Sequence, residues 1–214
     1  MLMQTTSLPT QVAAPSATHR RRKIALWAVM GAMTLSVIFY SEIPLLRKER
    51  AYLSTIPFLI IPHVVGGVVA LLAGPLQFSS RLRRRSPRFH RALGRIYVIS
   101  VLIAAPLAVI LSNHRHDPRA KYFVVAIIVQ AGTWIITTLA AFLTARNRHF
   151  QQHREWMVRS YAVTFTFVGT RVLQPIPAWN HFTEASFAMT VIIITFMAIL
   201  IPDLALHWRE LTAR

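Results

Sequence analysis

The sequence predicts an all-α integral membrane protein of six transmembrane helices, with the second to fifth forming a four-helix core and both termini cytoplasmic. Three observations predict it. Hydrophobic residues make up 54% of the 214 and charged residues only 14%, with mean hydropathy +0.46, far from the charge content of a soluble domain. Six apolar runs approach the about 20 helical residues that a hydrocarbon core requires. Of the 24 Lys and Arg residues, 21 fall between the runs, fifteen on the side of the N-terminus and six on the other, which sets the orientation by the positive-inside rule.

Residues 1–23 read as a disordered basic tail: "MLMQTTSLPTQVAAPSATH" has no apolar period, and "RRRK" follows it. The six-helix domain then occupies residues 24–214. Its first run, 24–40, leads into "YSEIPLLRKER" rather than a small-residue cleavage site, so a retained helix is expected instead of a signal peptide. The other runs lie at 56–78, 93–112, 122–144, 156–173 and 185–206.

In the second run His63, Gly66, Gly67, Ala70, Gly74 and Gln77 recur at spacings of three and four, which gathers them on one helical face. The third run does the same with His90, Gly94, Tyr97, Val101, Ala105 and Ala108, the fourth with Gln130, Thr133, Thr137, Ala141 and Thr144, and the fifth with His153, Ser160, Thr164, Phe167 and Arg171. Small residues permit close backbone approach in lipid, and polar side chains there need protein partners. These faces are therefore expected to look at one another, with Gly67 and Gly74 at the closest approach. The first and sixth runs carry no such stripe beyond Asp203 and are expected outside the core.

A net charge of +17 would suit nucleic acid on a soluble surface, but with the basic residues confined to the gaps no nucleic-acid partner is expected and the lipid bilayer is. The run "RLRRRSPR" reads as a topology signal with anionic-lipid contacts. Cysteine is absent, which excludes disulfides, Cys-based metal sites and thiol chemistry. No nucleophile elbow, HExxH helix or nucleotide loop occurs, and "HVVGG" lies within an apolar helix as a packing feature. Glu155 and Glu184 stand at helix edges and Asp203 alone, so no paired intramembrane carboxylates are expected for a proton relay.

Depth sorts the remaining polar residues into two levels. His63 lies seven residues into its helix, roughly 10 Å at 1.5 Å per residue, Gln130 enters from the same side, and Arg171 sits near that end of the fifth helix. These three form an expected outer cluster. His90 and His153 open the third and fifth helices beside Arg91, Arg95, Arg159 and Trp156, as an inner cluster. The echo of "FHRALGRIYV" in "QHREWMVRSYAV" suggests a weak repeat of helices two and three in four and five, with Gln130 where a second His63 would fall.

The segments "HVVGGVVALLAGPLQF", "HRALGRIYV" and "HREWMVRSYAVTFTFVGTRVL" resemble the domain of unknown function 2306 family, predicted multi-pass prokaryotic membrane proteins, over residues 52–206. The resemblance implies a location in the cytoplasmic (inner) membrane and a multi-helix architecture, with His63, His90, Arg91, Gly94, Arg95, His153, Trp156, Met157, Arg159 and Arg171 at the marked positions. It implies no established activity.

Two chemistries follow from the clusters. His90 and His153 could supply the axial ligands of a b-type haem, with Arg91, Arg95 and Arg159 near its propionates, in a protein that passes electrons to a redox partner. Alternatively, His63, Gln130 and Arg171 could line a site for a small anionic or quinone-like ligand in a transporter or binding protein. A His at a helix mouth also reads as an interfacial anchor, and an accessory protein without chemistry is the third reading.

Overall fold

A computed structural model of the chain describes residues 17–43, 56–114, 121–173 and 183–213. Helix α1 (Ala17–Val37) runs on into a π turn at Ile38–Glu42. It is followed by α2 (Pro57–Gln77), the short α3 (Ser80–Arg85), α4 (Pro87–Asn113), α5 (Lys121–Arg146), α6 (Phe150–Leu173) and α7 (Glu184–Thr212). Because α1 begins at Ala17, the backbone is already helical through the Arg20–Lys23 cluster, and the rest of the expected tail lies outside the described residues.

Local chemistry sets the helix boundaries. Proline opens both α2 and α4, where its missing N–H costs no hydrogen bond and its fixed φ suits the first turn. Ser79 caps α3 by accepting the Leu82 N–H at 3.2 Å, and Thr183 caps α7 by accepting the Ser186 N–H at 3.1 Å. Between α5 and α6, Arg148 adopts a left-handed φ of 64° and the N–H groups of Asn147 and His149 return to the Leu143 and Thr144 carbonyls. So short a connection makes α5 and α6 an antiparallel hairpin.

Among the described residues five helices are long and apolar enough to cross a membrane: α1 with its π turn, α2, α4, α5 and α7. The buried share of these spans is 11% for both α1 and α7, against 39% for α2, 33% for α4 and 22% for α5, so the first and last helices sit at the periphery. Helix α6 is outside the five on composition, yet nine of its residues, from Met157 to Thr170, are buried. It packs against α1, α2, α5 and α7, and Tyr97 joins it to α4. A polar helix is stable at such a place because its neighbours satisfy its side chains, where lipid would not. Large apolar side chains such as Phe39, Phe58, Ile136 and Phe196 instead face outward, as a lipid-contacting surface requires.

Tyr97 and Tyr161 pack with Ala70, Ala73, Val101, Ala141 and Met157 in the main cluster of the core, whose alanines keep the helices close. Between α2 and α4 the close approach is at Gly66: a Cβ there would meet Ser100 O at 3.0 Å and the Ala104 Cβ at 3.2 Å. Gly74 faces the Tyr161 ring, which a Cβ would overlap. Gly67, expected beside Gly74 at the interface, has no atom within 4 Å of its Cβ position. One residue is a 100° rotation about the helix, and the packing phase selects Gly66 over its neighbour.

Candidate functional site

In the half of the bundle remote from the arginine run, α2, α4, α5 and α6 enclose a cavity of about 70 Å³. Its polar lining comes from Glu42, His63, Gln130, Trp134 and Thr164. Each side chain is held by a partner on another helix or in the same turn. His63 Nδ1 lies 2.8 Å from the Ala104 carbonyl across the α2–α4 interface. A carbonyl only accepts, so Nδ1 bears the proton and a neutral His63 keeps its acceptor lone pair on Nε2. Gln130 donates from Nε2 to Thr166 Oγ1 at 2.6 Å, and Trp134 donates from Nε1 to Thr164 Oγ1 at 2.8 Å.

Thr164 begins a chain of buried hydroxyls whose direction can be worked out. Its own proton goes to the Ser160 carbonyl at 2.9 Å, so Thr164 Oγ1 accepts from Tyr97, whose hydroxyl lies 2.8 Å away. The Tyr97 oxygen then accepts from Ser160 Oγ at 2.8 Å, and Ser160 accepts from Thr138 Oγ1 at 2.7 Å. Tyr97, Ser160 and Thr138 are fully buried, and the network ties α4, α5 and α6 together next to the cavity.

Of the expected outer cluster, His63 and Gln130 meet on the cavity. Arg171 stands beside them, its guanidinium 5.1 Å from the centroid of the Phe167 ring that forms part of the wall and its Nε 3.8 Å from Glu42 Oε1. Glu42 was not foreseen. It follows the first apolar run by two residues as a single carboxylate, and the continuation of α1 through the π turn brings it to the cavity.

At the opposite level His90 and His153 lie near enough to interact electrostatically. His153 Nδ1 is 2.8 Å from the Ala141 carbonyl, and His90 Nδ1 has no hydrogen-bond partner among the described residues. The arginines expected around the pair do not converge on it. Arg91 and Arg95 are exposed, and the buried Arg159 turns to α7, where its Nη2 donates to Asp203 Oδ1 while its guanidinium lies 4.9 Å from the Trp156 ring centroid. Asp203, expected from the sequence to stand alone, is therefore partnered. Glu155 Oε2 is 3.9 Å from Arg159 Nη1, and His207 is 4.0 Å from Glu155 and 3.7 Å from Asp203. Two carboxylates thus share one guanidinium and one imidazole at the α6–α7 interface. The i, i+4 spacings of Glu155 with Arg159 and Asp203 with His207 were the available signal; what joined the two pairs was tertiary contact. Among the described residues no three His, Asp or Glu side chains converge as ligands for a bare metal ion.

Apolar side chains turned outward, a polar helix surrounded by the others and a polar cavity within the helices define a multi-pass helical membrane protein. The chain belongs to the family described as predicted membrane protein (DUF2306), whose pattern matches residues 60–208. No curated protein and no solved structure matches it.

Proposed function

We propose that this is a six-span protein of the prokaryotic cytoplasmic membrane, with both termini inside, that binds a small uncharged hydrogen-bonding solute in the cavity at His63 and Gln130. The cavity itself carries the reading. At about 70 Å³ it is about half of an apolar cavity that takes benzene, roughly 150 Å³, so it suits a solute smaller than a quinone ring. The carboxylate of Glu42 on its wall is offset by Arg171, which favours an uncharged solute over an anion that would have to compete with Glu42 for the guanidinium. His63 Nε2 and Gln130 Oε1 have no hydrogen bond to another described residue and supply acceptors for the solute.

Gly67 provides the test, because it lines the cavity with open space at its Cβ position. Gly67→Leu should fill the cavity without disturbing the helices. Small molecules that co-purify with the wild-type protein, identified by mass spectrometry, should be lost from the variant. The same molecules in both, or none in either, would overturn the proposal.

A second reading has one observation in its favour. The Nδ1–H···O=C bond of His153 fixes its ring as metal-bound imidazoles are commonly fixed, with His90 nearby, which would suit the two axial ligands of a b-type haem. Against it, Tyr97 bonds α4 directly to α6 two turns deeper, and the exposed Arg91 and Arg95 leave propionates without close partners. A reduced-minus-oxidised visible spectrum of the purified protein tests it: a haem band lost in His153→Ala would establish that reading, and a colourless protein expressed with ample haem would end it.

A further inference from the structure

We propose that the groove between α1 and α2 is a binding site for one anionic phospholipid, with an acyl chain along the groove and the phosphate at Ser79, Ser80 and Arg81. The groove has a volume of about 970 Å³. Its walls are apolar, formed by Met30, Leu72, Pro75 and Leu76 over an aromatic base in which Trp27 lies 5.8 Å from Phe78 and 6.4 Å from Tyr161. At Gly31 one wall is lowered, because no atom lies within 4 Å of a Cβ position there.

Length and charge argue for this occupant. Along α1 the groove runs from Ile24 to Leu35, which at 1.5 Å per residue is about 16 Å, half of a hydrocarbon core of about 30 Å. That is the depth of one leaflet and so of one acyl chain. The one charged side chain of the lining lies with two hydroxyls at one end, where α2 gives way to Ser79, Ser80 and Arg81, while Thr34, farther along, spends its proton on the Met30 carbonyl of its own helix at 2.9 Å. Immediately beyond, Arg83, Arg84, Arg85 and Arg88 are exposed, and no ion pair joins any of them, or Arg81, to a carboxylate of the described residues. Guanidinium and hydroxyl donors beside an apolar slot complement a phosphate joined to a hydrocarbon tail. The first sixteen residues of the chain, a competing occupant, carry no acidic side chain and offer these arginines nothing to pair with.

Trp27 at the base of the groove makes the site observable. The full chain is reconstituted in phosphatidylcholine vesicles containing an equal fraction of brominated phosphatidylglycerol or brominated phosphatidylcholine, and the signal of Trp27 is isolated by subtracting that of Trp27→Phe. Trp27 should be quenched by brominated phosphatidylglycerol with an apparent affinity roughly fivefold higher than by brominated phosphatidylcholine, the effect of one engaged arginine. The triple variant Arg81→Gln, Arg84→Gln, Arg85→Gln should reduce the two lipids to equal quenching. Native mass spectra should show retained phosphatidylglycerol on the wild-type protein and not on that variant. Equal quenching of wild-type Trp27 by both lipids would overturn the proposal in favour of unselective boundary lipid. Absence of quenching by either would overturn it in favour of a groove closed by protein, including residues 1–16.

Discussion

Replacing Tyr97 by Phe removes one oxygen from the centre of the bundle and leaves the ring, so its cost reports on the hydroxyl network alone. The Tyr97 hydroxyl donates to Thr164 and accepts from Ser160, both at 2.8 Å. After the substitution Thr164 still receives the Trp134 N–H and still donates to the Ser160 carbonyl. Ser160 still receives Thr138, but its own proton has lost its acceptor and must turn to the backbone carbonyl one turn back. Interhelical hydrogen bonds in membrane proteins average about 0.6 kcal/mol and reach about 1.7. Two lost bonds with partial rescue should therefore cost about 1–2 kcal/mol, well below the roughly 3–5 kcal/mol of deleting a buried aromatic ring. The measurement is reversible unfolding in mixed micelles with increasing sodium dodecyl sulfate. A double-mutant cycle with Ser160→Ala should yield a coupling of about 0.6 kcal/mol. A loss of less than about 0.3 kcal/mol for Tyr97→Phe, or a coupling of zero, would refute the account of the core as a directional hydroxyl chain.

The two glycines should separate cleanly in the same assay. Gly74→Ala, whose methyl enters the Tyr161 ring, should lose about 1–3 kcal/mol, whereas Gly67→Ala should stay within about 0.5 kcal/mol of wild type. Arg148→Gly relieves a left-handed residue and should raise the thermal midpoint by the equivalent of about 1 kcal/mol; a lower midpoint would show that the arginine side chain outweighs its backbone. Reporters fused after Arg85 and after Arg148 should be active in the cytoplasm and one at Asn180 outside it, and a cytoplasmic signal at Asn180 would refute the six-span count.

The elements that sequence periodicity defines are those whose partners lie on the same helix face. The polar stripe of α6 and the small-residue stripe of α2 are visible at spacings of three and four; Gly66 packs on α4 at Ser100 and Ala104, and Tyr97 meets Ser160 and Thr164. Phase and distance in sequence are what the pattern does not carry. Gly66 and Gly67 are equivalent in composition and differ only in the rotation of α2 against α4. The pairing of Arg159 with Asp203 spans 44 residues and depends on α7 crossing α6 at the right height, so each residue alone looks like an isolated charge. Trp134 was legible in principle, one turn after Gln130 on the same face, and it joins that residue on the cavity wall.

The position of α6 has a consequence for biosynthesis. A translocation channel partitions each nascent segment between water and lipid by its own composition, and an arginine near the middle of a span opposes transfer by about 2.5–3.5 kcal/mol. Helix α6 carries Arg154, Arg159 and Arg171 and is not among the segments apolar enough to cross by composition, whereas α5, ahead of it, is. The tight turn at Arg148 returns the chain directly onto α5, so in the proposed six-span arrangement α6 would leave the channel as the second limb of a hairpin, with its hydroxyls facing protein. Its guanidinium at residue 159 still awaits Asp203, which emerges 44 residues later. In that arrangement assembly would follow the order of synthesis, with α7 closing over a charge that α6 has carried in.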